Sequence, residues 1–155
     1  MNVIRPPTRI RNKVVFLAGS IEQGAAEPWQ KKIEEALTDF DVTLLNPRRE
    51  DWDPNMKDIT PQVEWELNGL KEADLIVMYF DPNTKSPITL LELGLFAASG
   101  KLLVCCPEGY WRKQNVDIVC QKWGVGRAKT LEALIEILRL CCHEISNYGL
   151  VRSVY

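Results

Sequence analysis

The sequence predicts an α/β fold: a doubly wound, mostly parallel sheet of about five strands with helices on both faces. Three observations predict it. Short β-branched apolar runs alternate along the chain with amphipathic stretches of helical period, the pattern of repeated strand–helix units. The runs are apolar at nearly every position rather than at every second one, as strands covered on both faces must be. A length of 155 residues, with 46% hydrophobic and 26% charged side chains, suits one soluble domain around one core.

Each element has its own signal. Residues 1–12 lack the apolar stretch of a secretory signal and read as a short frayed arm. KVVFLAG (13–19) is a buried strand ending on glycine. EPWQKKIEEALTDF (27–40) is a helix with Trp29, Ile33, Ala36, Leu37 and Phe40 on one side and Pro28 in its first turn. DVTLLNP (41–47) is a strand stopped by Pro47, and a long polar loop carrying Trp52 follows. PQVEWELNGLKEA (61–73) is a helix behind Thr60 as N-cap, with Val63, Leu67 and Leu70 as its buried face and Trp65 and Glu72 turned outward.

DLIVMYF (74–80) is the third strand. ITLLELGLFAAS (88–99) is a helix capped by Ser86, opened by Pro87 and stopped by Gly100. KLLVCCP (101–107) is the fourth strand, WRKQNVDIVCQKWG (111–124) a short helix, VGRAK (125–129) a fifth strand and TLEALIEILRLCCHE (130–144) a closing helix. The tail, 145–155, carries no clear signal. This is a flavodoxin-like order of elements, in which ligands bind beyond the carboxyl ends of the strands where strand order reverses. The loops after Gly19, Asn46, Phe80 and Pro107 should therefore surround one crevice.

Several function classes fall away. A net charge of −2 gives no basic field for nucleic acid or an anionic membrane, and no apolar run approaches the roughly 20 residues of a bilayer span. Five cysteines in no CxxC or Cys/His spacing fit neither zinc nor a disulfide framework, and point to a reducing, cytoplasmic setting. Cys105 and Cys106 read as small buried hydrophobes. His143 is the only histidine, so histidine triads and multi-histidine metal sites are excluded.

The crevice has candidate chemistry. From Leu90 to Ala98 the chain is apolar or glycine except at Glu92, in a helix fit for burial on all sides. A carboxylate there must face the crevice or be buried at high cost. Glu66 falls on the flank of its helix's buried face and would overlook the crevice floor. LAGSIEQG (17–24) is neither a Walker loop nor a GxGxxG fingerprint; Gly19 and Gly24 let a ligand approach the backbone, and Ser20 adds a hydroxyl. Glu22 and Glu27 would repel a phosphate from this loop, whereas Arg48, Arg49 or Arg112 reaching in would reverse the sign. Trp52 offers a stacking surface for a flat base. Asn115 suits a sugar hydroxyl or, equally, a helix cap.

FLAGSI, ELNGLKEADLIV, ITLLELG and WGV, taken in order, resemble the nucleoside 2-deoxyribosyltransferase family, in its 2-deoxyribosyltransferase-like branch, from Val14 to about Trp123. The resemblance implies a single flavodoxin-like domain, homodimers or higher homo-oligomers, deoxynucleoside and free nucleobase as substrates, and no metal or organic cofactor. It implies that Glu92 is the nucleophile and Glu66 the base-contacting carboxyl. It places Gly19, Ser20 and Ile21 at the sugar pocket, and makes Asn115 part of the segment a neighbouring subunit inserts. Two positions depart from the family pattern: Phe16 stands where a tyrosine often bonds the nucleophile, and Ser86 where an aspartate is common, unless Asp81 substitutes for it.

The expected reaction is a double displacement: Glu92 attacks C1′ while Glu66 or Asp81, protonated, hydrogen-bonds the departing base. The alternatives are hydrolysis of the same bond by a nucleoside or nucleotide N-glycosidase, and a non-catalytic nucleotide sensor. Product analysis with and without an acceptor base separates them.

Overall fold

A computed structural model describes residues 2–3, 13–21, 26–49, 53 and 55–151, and among these the side chains of 13–143. Gly24, Glu22 and Trp52, singled out in the sequence, lie outside the described residues.

Strands β1 (Asn2–Val3), β2 (Lys13–Gly19), β3 (Val42–Leu45), β4 (Leu75–Tyr79), β5 (Leu102–Cys105) and β6 (Gly126–Ala128) form one sheet in the order β1-β3-β2-β4-β5-β6, with every pair parallel. The five strands read from the sequence are all present. The sixth, two residues long, comes from the segment read as a frayed arm, where Asn2 and Val3 pair with Thr43 and Leu44.

Helices α1 (Trp29–Ala36), α2 (Thr60–Glu72), α3 (Pro87–Phe96), α4 (Lys113–Trp123) and α5 (Leu131–Val151) supply the crossovers. Helix α5 continues through much of the tail that lacked a sequence signal. Two apolar layers sandwich the sheet. Phe16, Met78 and Val104 meet Leu70 of α2, Leu93 of α3 and Val116 of α4 on one face. Leu17, Val77 and Leu103 meet Trp29 and Ile33 of α1 and Leu134 and Leu138 of α5 on the other. Alternate residues of each strand thus feed opposite cores, which is why the strands read as unbroken apolar runs. No disulfide joins the cysteines among the described residues, and all but Cys141 are buried; His143 sits edge-on to Phe40 at 5.9 Å.

The chain leaves β2 toward β3 on one side and leaves β4 toward β5 on the other. Strand order therefore reverses between the neighbouring ends of β2 and β4, where Gly19 pairs with Tyr79. Gly19 has φ 151°, and a Cβ there would lie 2.4 Å from the Tyr79 carbonyl oxygen and 2.7 Å from the Trp29 ring. Only glycine lets the two strand ends and α1 close up at this point.

Helix α2 sits differently from the sequence expectation. Val63 and Leu67 are exposed, whereas Trp65 packs against the core with its ring centroid 6.1 Å from that of Phe16. The buried face is the stripe Gln62, Trp65, Glu66, Gly69, Leu70 and Ala73, with Gly69 and Leu70 fully inside. The reason is Gly69: a Cβ there would meet the Phe16 ring at 2.8 Å, so glycine rather than a leucine marks the closest approach to the sheet. A large hydrophobe was the wrong marker of the buried side, and the rotation moves Glu66 inward. Thr60 does not cap this helix; it is the first helical residue, and its N–H is taken by the Asp58 carboxylate at 3.0 Å. Helix α3 is not buried all round either, because Ile88, Leu91 and Leu95 point to solvent.

Candidate active site

The crevice is built around Ser20, the first residue beyond β2. Its N–H donates to the Tyr79 carbonyl at 3.0 Å, and its Oγ accepts the Asp81 N–H at 2.8 Å. The same Oγ lies 2.5 Å from Ser86 Oγ and accepts from Thr84 Oγ1 at 3.0 Å, and the last two hydroxyls are 2.7 Å apart. All three side chains are buried. They stitch the β2 end to the loop that leads from β4 into α3.

Ser86 therefore does not cap α3 with its side chain, as its position in the sequence implied. Its hydroxyl turns into this cluster, and its backbone takes the left-handed conformation at φ 47°, unusual for a residue with a Cβ. The preceding carbonyl, of Lys85, is gripped by the Tyr110 hydroxyl at 2.5 Å and by Trp111 Nε1 at 2.9 Å. Tyr110 itself is buried against Phe80, with ring centroids 4.9 Å apart. The strained entry into α3 is thus held from two sides.

Asp81, offered by the sequence as an alternative acid, is committed elsewhere. One carboxylate oxygen accepts the Glu27 N–H at 2.7 Å and the other the Asn83 N–H at 2.8 Å, and the residue is buried. It pins the chain entering α1 to the end of β4. Its oxygens are occupied by backbone donors, so the geometry makes it a strap rather than a proton donor.

Glu92 lies a turn and a half into α3 and is 7% exposed. Among the described residues it has no hydrogen-bond partner, and the residue that would supply one in the family pattern, Phe16, is fully buried under Gly69 and Trp65. Burial, and then the charge of Glu66, push its carboxyl up to about 8. Glu66 is half-buried on α2 and is itself raised from the ordinary glutamate value by burial, against the pull of a 2.6 Å hydrogen bond donated by Gln62 Nε2. Gln62 Oε1 in turn faces Arg49 Nη1 at 3.5 Å. Two carboxyls on neighbouring crossover helices are thus both raised by burial, and the charge of Glu66 adds to the rise at Glu92.

The remaining candidates are scattered. Ile21 is half-buried beside Ser20, while Asn115 is exposed on α4. Thr84, Gln62 and Tyr110 were not singled out from the sequence. Thr84 sits in a turn-rich loop where a hydroxyl is ordinary, and Gln62 becomes visible only once α2 is rotated by Gly69. Among the described residues no group of three or more His, Cys, Asp or Glu side chains is placed to hold a metal ion, and no helix is long and apolar enough to cross a membrane.

With this geometry in place, comparison with known proteins is informative. No curated protein matches the chain. Among solved structures it superposes on a conserved protein from Enterococcus faecalis V583 with a TM-score of 0.59 and 17% identity, over 81% of this chain and 96% of that one. It also superposes on a CMP N-glycosidase, BcmB, from Clostridium botulinum with a TM-score of 0.56 and 20% identity, over 83% and 99% respectively. At these identities the likeness establishes the fold. The family pattern described as nucleoside 2-deoxyribosyltransferase like matches residues 12–110, which contain the Ser20 cluster, Glu66 and Glu92, and the chain belongs to that family.

Proposed function

We propose that this protein breaks the N-glycosidic bond of a 2-deoxynucleoside and passes the deoxyribosyl group to a second nucleobase through an ester on Glu92. The observation that carries this reading is the Glu66–Glu92 pair, two partly desolvated carboxyls on facing helices of which one raises the pKa of the other. Such a pair holds one proton and one negative charge near neutrality, as a double displacement requires.

In the free protein the proton rests on Glu92. A bound base presents an acceptor nitrogen to Glu66, and positive charge growing at C1′ draws the proton from Glu92 to Glu66, leaving Glu92 ionised. Glu92 then attacks C1′. The C1′–N bond breaks with its electron pair going to the base, which takes the proton from Glu66. An incoming base delivers its N–H proton to Glu66, attacks C1′, and releases the Glu92 carboxylate. Asp81, Ser20, Thr84 and Ser86 keep α3 in place for this, and Gly19 and Ile21 line the approach to the sugar.

A second reading replaces the incoming base by water. It is favoured by the Phe16 ring, which leaves Glu92 without the hydroxyl partner of the family pattern, and by the activity named for the Clostridium botulinum relative in fold. We also infer that the chain works as a homo-oligomer. Ile59, Val63 and Leu67 on α2 and its approach, with Ile88, Leu91 and Leu95 on α3, leave two apolar stripes in solvent on the helices that carry the carboxyls. Five cysteines that form no disulfide among the described residues fit a reducing cytoplasm.

The test is to incubate the protein with a panel of deoxynucleosides, with and without a free base, and to separate the products. A new deoxynucleoside supports transfer and free deoxyribose supports hydrolysis. Binding without either product sinks the enzymatic reading and leaves a sensor.

A further inference from the structure

Beside the crevice, on the β3 side, a buried amide donor and a neighbouring cation are left, among the described residues, the first without an acceptor and the second without a counter-charge. Gln30 of α1 is 1% exposed, and its Nε2 has no hydrogen-bond acceptor among the described residues. A buried amide N–H group in that state carries its full desolvation cost. Its orientation is fixed by the other end of the amide, because Oε1 accepts from Arg48 Nη1 at 3.1 Å. Arg48, two residues past the Asn46 that follows β3, is half-buried; its other contact is the Glu27 carbonyl at 3.4 Å, and no carboxylate neutralises it among the described residues.

The place is tied to the site. Glu27, whose carbonyl Arg48 touches, gives its N–H to Asp81, and Trp29, the neighbour of Gln30, donates its indole N–H to the Ser20 carbonyl at 3.0 Å. The Glu27 carboxylate, which on sequence grounds would repel an anion here, is ion-paired with Lys32.

We propose that Arg48 and Gln30 form a substrate subsite that binds an oxygen acceptor, either a phosphoryl oxygen or a carbonyl oxygen of the base. The amide lacks an acceptor and the guanidinium lacks a negative partner among the described residues, and one oxygen from outside the chain would serve both. An arginine beside an amide donor recognises either source. The subsite rests on the glycosyl-transfer reading only for the identity of its ligand.

The test uses ligands that cannot react on their own. Inorganic phosphate, uracil and adenine are titrated calorimetrically into the full chain, into Arg48→Met and into Gln30→Met. A loss of about tenfold or more in phosphate affinity in both variants, steeper at low salt, assigns the subsite to a phosphoryl group. The same loss for uracil, with adenine (which has no carbonyl) unchanged, assigns it to the base. Unchanged affinities in both variants, or no binding of phosphate or uracil by the wild type, overturn the proposal. Product formation from deoxynucleosides by the wild type, measured separately, tells that failure from failure of the glycosyl-transfer reading.

Discussion

Glu66 on α2 faces Glu92 on α3 closely enough for its charge to add to burial in raising the Glu92 carboxyl, which reaches about 8. Glu66 is itself raised, by burial. Between the two ionisations the pair holds a single proton.

That state sets the pH dependence of kcat/KM. At low pH both carboxyls are protonated and no nucleophile exists; above about 8 both are ionised and no acid remains. The profile should be bell-shaped, with its alkaline limb near 8 and its acid limb above the ordinary glutamate range. Glu66→Gln should lower the rate and abolish the alkaline limb, because only ionisation of Glu92 is then required. It should also move that ionisation below 8, since the like charge is gone. A wild-type profile flat from pH 5 to 9 contradicts the pairing.

Tyr110→Phe isolates the loop that aims Glu92. The ring stays packed on Phe80, and the Lys85 carbonyl keeps Trp111 but loses its 2.5 Å donor. A cost of about 1 kcal/mol in stability is expected for one hydrogen bond. The larger effect should fall on kcat, roughly tenfold, with KM nearly unchanged, because Ser86 at φ 47° is freed to relax and α3 moves with it. Equal changes in kcat and stability for Tyr110→Phe and for a surface substitution such as Lys122→Ala would remove the loop from the mechanism.

Much of this was legible in the sequence, for a physical reason. Parallel strands are buried on both faces, so each showed as an unbroken apolar run, and alternation then fixed topology and the place of the crevice. Glu92 showed because a carboxylate in an otherwise apolar helix is costly to bury, and a chain that keeps one there marks it out. What stayed hidden depended on helix rotation. Val63 and Leu67 looked like a core face, yet Gly69 against the Phe16 ring turns α2 so that they face solvent and Trp65 faces in. A glycine that lets two elements approach carries no apolar signal. The hydroxyl cluster was hidden for a similar reason: Ser20 meets Thr84 and Ser86 across a separation of more than sixty positions, and nothing local marks a serine that bonds so far away.

The orientation of α3 changes what Leu91 should do in the same way. The residue is exposed, so Leu91→Ala should cost the folded chain well under the 2–5 kcal/mol of a buried leucine. Six such residues on α2, its approach and α3 leave large apolar side chains in solvent, the mark of a contact between chains. Light scattering at micromolar concentration should give a dimer or larger species for the wild type, and a shift toward monomer for Leu91→Glu. A monomeric wild type would leave the stripes without this explanation.

Glu92→Gln separates chemistry from folding. The amide cannot form the glycosyl ester, so turnover should vanish, and wild-type enzyme quenched with a deoxynucleoside should carry deoxyribosyl mass on the peptide containing Glu92. Stability should move the other way. A carboxyl whose folded value is raised to about 8, from 4.5, holds its proton more tightly in the folded chain. Its contribution is intact below 4.5 and is lost progressively as pH rises to about 8. Glu92→Gln carries no such loss. The two proteins should melt alike near pH 4 and diverge upward from there, the variant becoming more stable by on the order of a few kcal/mol at pH 8. A variant that turns over at the wild-type rate would make Glu92 a bystander. One that is inactive yet less stable than wild type at pH 8 would mean the carboxylate is solvated in the crevice, and the shared-proton account of the site would fail with it.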